Sequence, residues 1–164
     1  MSEYKFTPGE FVVYPAHGVG KLIGSENHEI GGHKLELLVI NFDKERMTLR
    51  LPLKKAKAAG LRPLSSLEDM QNALQTLSVK AKHKRTMWSR RAQEYETKIN
   101  SGNPKSIAEV IRELHRSNNE SDQSYSERQI YQAALERLAR ELAAVESIDE
   151  TTAMRKMENF LQAA

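Results

Sequence analysis

The sequence predicts an α+β protein of two domains, a small SH3- or Tudor-like β-barrel followed by a compact all-α domain of about five helices. Three observations predict it. Residues 1–57 hold short β-branched and aromatic runs broken by Gly and Pro, the signature of strands. Beyond Pro63 the apolar period changes from two to 3.6. Each later segment then carries one apolar stripe between short loops, so these helices must cover one another. The expected division is 1–60 and 61–164, and in a chain of 164 residues each part has enough apolar residues for a modest core.

Taken in order, Glu10-Phe-Val-Val-Tyr14 is the first strand, closed by Pro15, and Val19 to Ser25 is the second, after a Gly18/Gly20 turn. Ile30-Gly-Gly-His33 is a tight hairpin, because both central positions need positive φ. Lys34 to Phe42 is the strongest strand, and Asp43-Lys-Glu45 turns into Arg46 to Leu51, which Pro52 stops. In that last strand Met47, Leu49 and Leu51 share one face while Thr48 and Arg50 point the other way. Four or five short strands in so few residues imply a small twisted barrel. Arg50, near Arg46, has two readings: a cation guarding an edge strand against aggregation, or a group fixing the register of a partner strand added to that edge.

Lys54 to Arg62 is a basic passage ending at Pro63. Ser66-Leu-Glu-Asp69 resembles a capping box and opens a helix with Leu67, Met70, Leu74 and Leu77 in one stripe. A second helix starts between Arg85 and Trp88, aligns Trp88, Ala92, Tyr95 and Ile99, and ends at Ser101-Gly102. Asn103-Pro104 is a cap with proline in the first turn, followed by Ile107, Val110, Ile111 and Leu114 in phase. Ser124-Tyr-Ser-Glu127 caps a long fourth helix with Ile130, Ala134, Leu138, Leu142 and Val145 inward, and Ser147-Ile-Asp-Glu150 begins a fifth.

Charge is distributed unevenly. The net charge is only +3, and residues 1–60 hold nine Lys/Arg against seven Asp/Glu. Residues 79–91 hold six Lys or Arg and no acid, within an acid-free window from Met70 to Gln93, whereas residues 92–164 hold nine basic against thirteen acidic residues. A local basic cluster is the expected footprint of a phosphate-binding surface. Inside it lies Trp88, the only tryptophan, flanked by Arg85, Arg90 and Arg91. An aromatic ring among cations stacks on bases or wedges between them. The plainer alternative is a core residue, in phase with Tyr95 and Ile99. For Lys80, Lys82, Lys84 and Arg85 it is a solvated linker. Arg90 and Arg91 near a helix start oppose the helix dipole, a placement that a bound phosphate would justify.

Other chemistry finds little support. His17, His28, His33, His83 and His115 form no ligand-spaced set, so no metal is expected. No P-loop, dinucleotide fingerprint, nucleophile elbow or HExxH motif occurs. We expect no enzyme, no cofactor and no small-molecule substrate. With no cysteine, a reducing cytoplasm is compatible. No apolar run reaches membrane-spanning length, and the N-terminus lacks a signal-peptide core. A monomer is expected. Two further function classes stay open on the residues alone. One is a protein–protein adaptor with Trp88 as an interface anchor, the other an RNA-binding translation factor.

Four stretches make the sequence resemble the CarD-like (CarD/CdnL) bacterial transcription regulators. They are Gly9-Glu-Phe-Val-Val-Tyr-Pro-Ala-His-Gly-Val-Gly20, Leu49-Arg-Leu-Pro52, Val79 to Arg91 with Trp-Ser-Arg-Arg at its end, and Ser101 to Leu114. The first module of that family is shared with the transcription-repair coupling factor, and the likeness covers essentially the whole chain. The resemblance implies a barrel that docks by strand addition on the RNA polymerase β subunit, with Arg50 at the key contact and Arg46 beside it. It implies a helical domain over promoter DNA at the upstream edge of the bubble, with Trp88 as a minor-groove wedge. Arg90 and Arg91 match the family's backbone-contacting pair, Lys84 and Arg85 belong to the same basic run, and Arg128 falls at a further basic contact. Two positions depart from the pattern. A second polymerase-contacting arginine is His28 here, and a lysine two residues after the arginine pair is Gln93. The resemblance further implies the short form of the family, in the bacterial cytoplasm and at the nucleoid through RNA polymerase.

Overall fold

The computed structural model describes residues 6–80, 87–115 and 124–163. The chain divides into two compact units, Met1–Leu64 and Ser65–Ala164.

The first unit is a five-stranded antiparallel sheet. Its strands are β1 (Phe11–Tyr14), β2 (Gly18–Ile30), β3 (His33–Phe42), β4 (Met47–Pro52) and β5 (Arg62–Pro63), in the order β4-β3-β2-β1-β5. One face buries Val12, Leu22, Leu38, Ile40, Phe42 and Leu51 in a single core with Ala56 and Leu61. Four strands contributing to one small cluster require a strongly twisted sheet, and the register shift between Leu22 and Gly24 adds twist as bulges do. Gly20 lets β3 come close, because a Cβ there would lie 2.7 Å from Ile40 Cγ2 and from Phe42 Cε1. The Gly31 and Gly32 hairpin has φ of 57° and 80° between paired Ile30 and His33, the conformation that the paired glycines predicted. His17 packs its ring 5.7 Å from Tyr14 and 5.5 Å from Phe42 and pairs with Glu45 at 3.0 Å. It belongs to the structure of the Tyr14–Gly18 turn.

Four sequence expectations change here. β2 runs to Ile30 rather than Ser25, because it continues up the long hairpin with β3. Arg46 is not in a strand: it closes a 3-10 turn over Asp43–Glu45 in the left-handed region, at φ 50°, and β4 begins after it. Leu61 is buried in the sheet's core and Arg62–Pro63 pair with Val13 and Val12 of β1, so residues 61–64 group with the first unit. A short helix, α1 (Leu53–Ala56), lies in the basic passage where none was expected.

The described residues of the second unit form five helices: α2 (Leu67–Leu77), α3 (Trp88–Asn100), α4 (Pro104–Leu114), α5 (Tyr125–Glu146) and α6 (Glu150–Gln162). Their apolar stripes meet in one core around Leu74, Leu77, Tyr95, Ile111, Leu114, Leu138, Leu142 and Met157. Caps sit where the sequence placed three of them. Ser66 Oγ accepts from Asp69 N, Asn103 Oδ1 from Lys105 N and Ser124 Oγ from Glu127 N, each occupying an amide that has no intrahelical partner. The fourth differs. Ser147 ends α5 in the left-handed region at φ 55°, and Asp149 caps α6 by accepting from Thr152 N at 2.7 Å. Leu67, expected inside, is 62% exposed in the first turn of α2. Glu141 on α5 is a buried carboxylate whose Oε2 accepts from Ser65 N at 2.9 Å, tying down the entry to α2.

Candidate nucleic-acid interface and sheet edge

At the start of α3 the sequence supplies no polar N-cap. Met87 holds that position without a side-chain hydrogen bond and is 76% exposed. A helix repeats about every 3.6 residues, so two stripes diverge from this tip. Trp88, Arg91, Ala92 and Tyr95 lie toward the core. Met87, Ser89, Arg90 and Gln93 line a shallow cavity of about 430 Å³ on the outside.

Trp88 is half-buried and packs against the edge of the helical core. Its ring lies 6.2 Å from that of Tyr95, tilted by 52°. Over the indole, at 5.4 Å from its centroid, lies the guanidinium of Arg91, which is also 5.8 Å from the Tyr95 ring. Tyr95 OH accepts from Arg91 Nε at 3.4 Å and Nη2 at 3.3 Å. Burial pushes the Tyr95 phenol up, the Arg91 hydrogen bond opposes this, and the Glu113 charge adds to it. The stack of cation on indole is worth roughly 0.5–1 kcal/mol at a partly exposed site. A charge-assisted hydrogen bond to a phosphate is worth roughly 1.5–3 kcal/mol.

The ring of Trp88 is anchored in the core stripe yet is not sealed within it. Arg90 is exposed and Arg91 half-buried, so the pair splits, Arg91 onto the tryptophan and Arg90 onto the outer face beside Met87. Arg128 is exposed in the first turn of α5. Lys84 and Arg85 lie outside the described residues. Met87 and the Tyr95 hydroxyl had been passed over. An apolar residue directly before a helix start, with no capping group, was the available signal for Met87.

In the sheet unit β4 is an edge strand: among the described residues it pairs with β3 alone, through Leu37↔Pro52 to Phe42↔Met47. Arg50, on the face away from the core, reaches across β3 to Glu26 on β2. Its Nε donates to Glu26 Oε2 at 3.0 Å and its Nη2 to Oε1 at 3.4 Å. His28 Nε2 lies 2.9 Å from the same Oε2. The Arg50 and His28 hydrogen bonds, in that order, hold the Glu26 carboxyl below its ordinary range. Arg50 and His28 therefore converge on one carboxylate that the sequence reading did not single out, and period-two spacing of Glu26 and His28 was its only trace. Arg46 is exposed at the turn before β4. No set of three or more metal-ligating side chains occurs among the described residues. No helix among them is long and apolar enough to cross a membrane.

Residues 72–158 match the family model described as CarD, C-terminal domain, and residues 6–65 match the CarD-like/TRCF RID domain. The chain belongs to the CarD-like family of transcription regulators. A relative from Bacillus subtilis (strain 168), named "Putative transcription factor YdeB", is 28% identical over 145 residues, covering 88% of this chain and 95% of its own. Among solved structures, the solution NMR structure of the 72-residue N-terminal domain of Myxococcus xanthus CarD is 25% identical, with a TM-score of 0.32. It covers 38% of this chain and 84% of its own. The two CarD-like family matches divide the sequence close to where the two compact units separate, at Leu64.

Proposed function

We propose that this CarD-like protein binds the β subunit of RNA polymerase through the free edge of β4 and stabilises the open promoter complex through the start of α3. The observation that carries the second half is the arrangement of Trp88, Arg91 and Tyr95, with Met87 and Arg90 exposed beside it, at the end of an acid-free basic window. Backbone cations bind closed and melted promoter about equally, so Arg90, Arg91, Lys84, Arg85 and Arg128 set residence and salt dependence. Only a group that fills a gap opened by unstacking distinguishes the two states. Trp88 is that group, with Met87 as a second apolar contact. Aromatic contact with a base is worth about 1–3 kcal/mol, enough to shift the open-to-closed ratio roughly ten- to a hundredfold. Weak intrinsic affinity for DNA suffices because the β4 edge, with Arg50, Arg46 and His28 nearby, raises the local concentration of the second unit at the promoter. The protein then acts in the bacterial cytoplasm, as a monomer and without catalysis.

The test is binding to a forked promoter fragment and to its fully paired counterpart over a range of salt, with and without RNA polymerase. The proposal requires preference for the fork and affinity that falls steeply with salt. An adaptor without nucleic-acid contact would bind neither DNA even at low salt.

A further inference from the structure

Trp88 cannot meet a base through the face that Arg91 occupies. The guanidinium lies over the indole at 5.4 Å and is seated there by the Tyr95 hydroxyl, through contacts of 3.3 and 3.4 Å. Tyr95 itself is 1% exposed, so the seat is packed into the helical core. Arg91 is thus held by a cation–ring contact and by long hydrogen bonds to a neutral oxygen, a hydroxyl on which the Glu113 carboxyl also acts. A phosphate offers the same guanidinium shorter bonds to a full charge, in a bidentate geometry that suits it. Competition for Arg91 therefore favours phosphate, and winning it uncovers the ring.

We infer that Arg91 is a phosphate-responsive cover over Trp88 and that Tyr95 is the positioning residue that seats it. Nucleic acid is then met in sequence. A backbone phosphate draws Arg91 from Tyr95 and the indole, and the freed face of Trp88 becomes available to an unstacked base. In the free protein the same cover shields an aromatic surface from non-specific contact. The split between Arg90 and Arg91 acquires a reason: Arg90, exposed beside Met87, is the cation that makes first contact, while Arg91 is held in reserve. Only the nucleic-acid half of this inference rests on the function proposed above. The cover itself is a property of the free chain.

Trp88 is the only tryptophan, so its fluorescence reports this site alone. Acrylamide quenching is compared for wild type, Arg91→Lys and Tyr95→Phe, each checked for native circular dichroism. Lysine keeps the charge but not the planar stack, and phenylalanine keeps the packing but not the hydroxyl. Both variants should show quenching about twofold above wild type without ligand. Sodium tripolyphosphate, but not chloride at equal ionic strength, should raise wild-type quenching to the level of the variants and leave theirs unchanged. Equal quenching in all three proteins, or no tripolyphosphate effect on wild type, overturns the inference. In a separate arm, forked DNA labelled for anisotropy is added. A tripolyphosphate response with no DNA binding would leave the cover standing and remove the nucleic-acid function, whereas DNA binding with no difference among the proteins would do the reverse.

Discussion

Arg50 on β4 and Glu26 on β2 are joined side-on across the intervening strand β3, Nε to Oε2 at 3.0 Å and Nη2 to Oε1 at 3.4 Å. A guanidinium has five donors, and this pairing engages the Nε side while leaving the Nη1 end toward a further acceptor. Glu26 is in turn fixed by His28 at 2.9 Å. The residue taken for a partner contact is therefore already half of an internal pair, on an exposed surface where such pairs add little stability.

Arg50→Glu is accordingly expected to leave folding almost unchanged and to weaken polymerase binding on the order of tenfold or more, since it sets two like charges on one face and reverses the charge offered to a partner. Pull-down or surface-plasmon measurement with polymerase core, beside a thermal melt, reads both effects. Because Arg50 and His28 lower the Glu26 pKa from its ordinary 4.5, the pair is fully formed above that value. It is lost only as pH falls through the lowered one. In a His28→Gln background, binding that depends on the Arg50–Glu26 pair should be flat from neutrality down to about pH 5.

Trp88→Ala should retain polymerase binding and shorten the lifetime of the open complex roughly ten- to a hundredfold. Met87→Ser should have a smaller effect in the same direction, because its 76% exposed side chain adds apolar contact without a stacking face. Competitor-challenged lifetimes of open complexes on one promoter measure both. An unchanged lifetime in Trp88→Ala would remove the wedge from the mechanism.

Glu141 is 4% exposed and accepts the Ser65 amide, which precedes the Ser66 cap of α2. Glu141→Ala removes the carboxylate acceptor of the half-buried Ser65 amide, at a cost of about 1–3 kcal/mol. Glu141→Gln keeps an acceptor and should cost less. Urea unfolding of the two variants should give midpoints in the order wild type, Gln, Ala.

The fold was legible wherever a local rule acts alone. Paired glycines demanded the hairpin at Gly31-Gly32, and Ser66, Asn103 and Ser124 each had a free amide within reach. Legibility failed where the deciding partner is remote in sequence. Glu141 holds Ser65 from 76 positions away and Glu26 meets Arg50 from 24 away, and no local spacing links the two members of either pair. Near element ends two local rules compete. Ser147 and Asp149 both suit a cap, and Asp149 won because Ser147 was needed in the left-handed turn that ends α5. At the candidate interface the spacing of Trp88, Arg91 and Tyr95 was plain, but not that one cation would fold back on the ring while its neighbour faced outward.

Tyr131 on α5 supplies a test of the helical core that is independent of any partner. Its hydroxyl lies 3.0 Å from His115 Nδ1, its ring 6.2 Å from the imidazole, and burial followed by the Glu158 charge pushes its phenol up to about 12. A phenol raised above its ordinary value of 10 keeps its proton in the folded state when the unfolded chain has lost it. The stability this contributes is complete below pH 10 and declines as pH rises from 10 to about 12. Alkaline titration followed at 295 nm should therefore show Tyr131, with Tyr95 also displaced upward, ionising late and together with loss of helix. In Tyr131→Phe the late step should shrink and the alkaline unfolding transition should move up in pH. A late step of unchanged size would mean that Tyr131 is solvated and that the α4–α5 packing around His115 is looser than described.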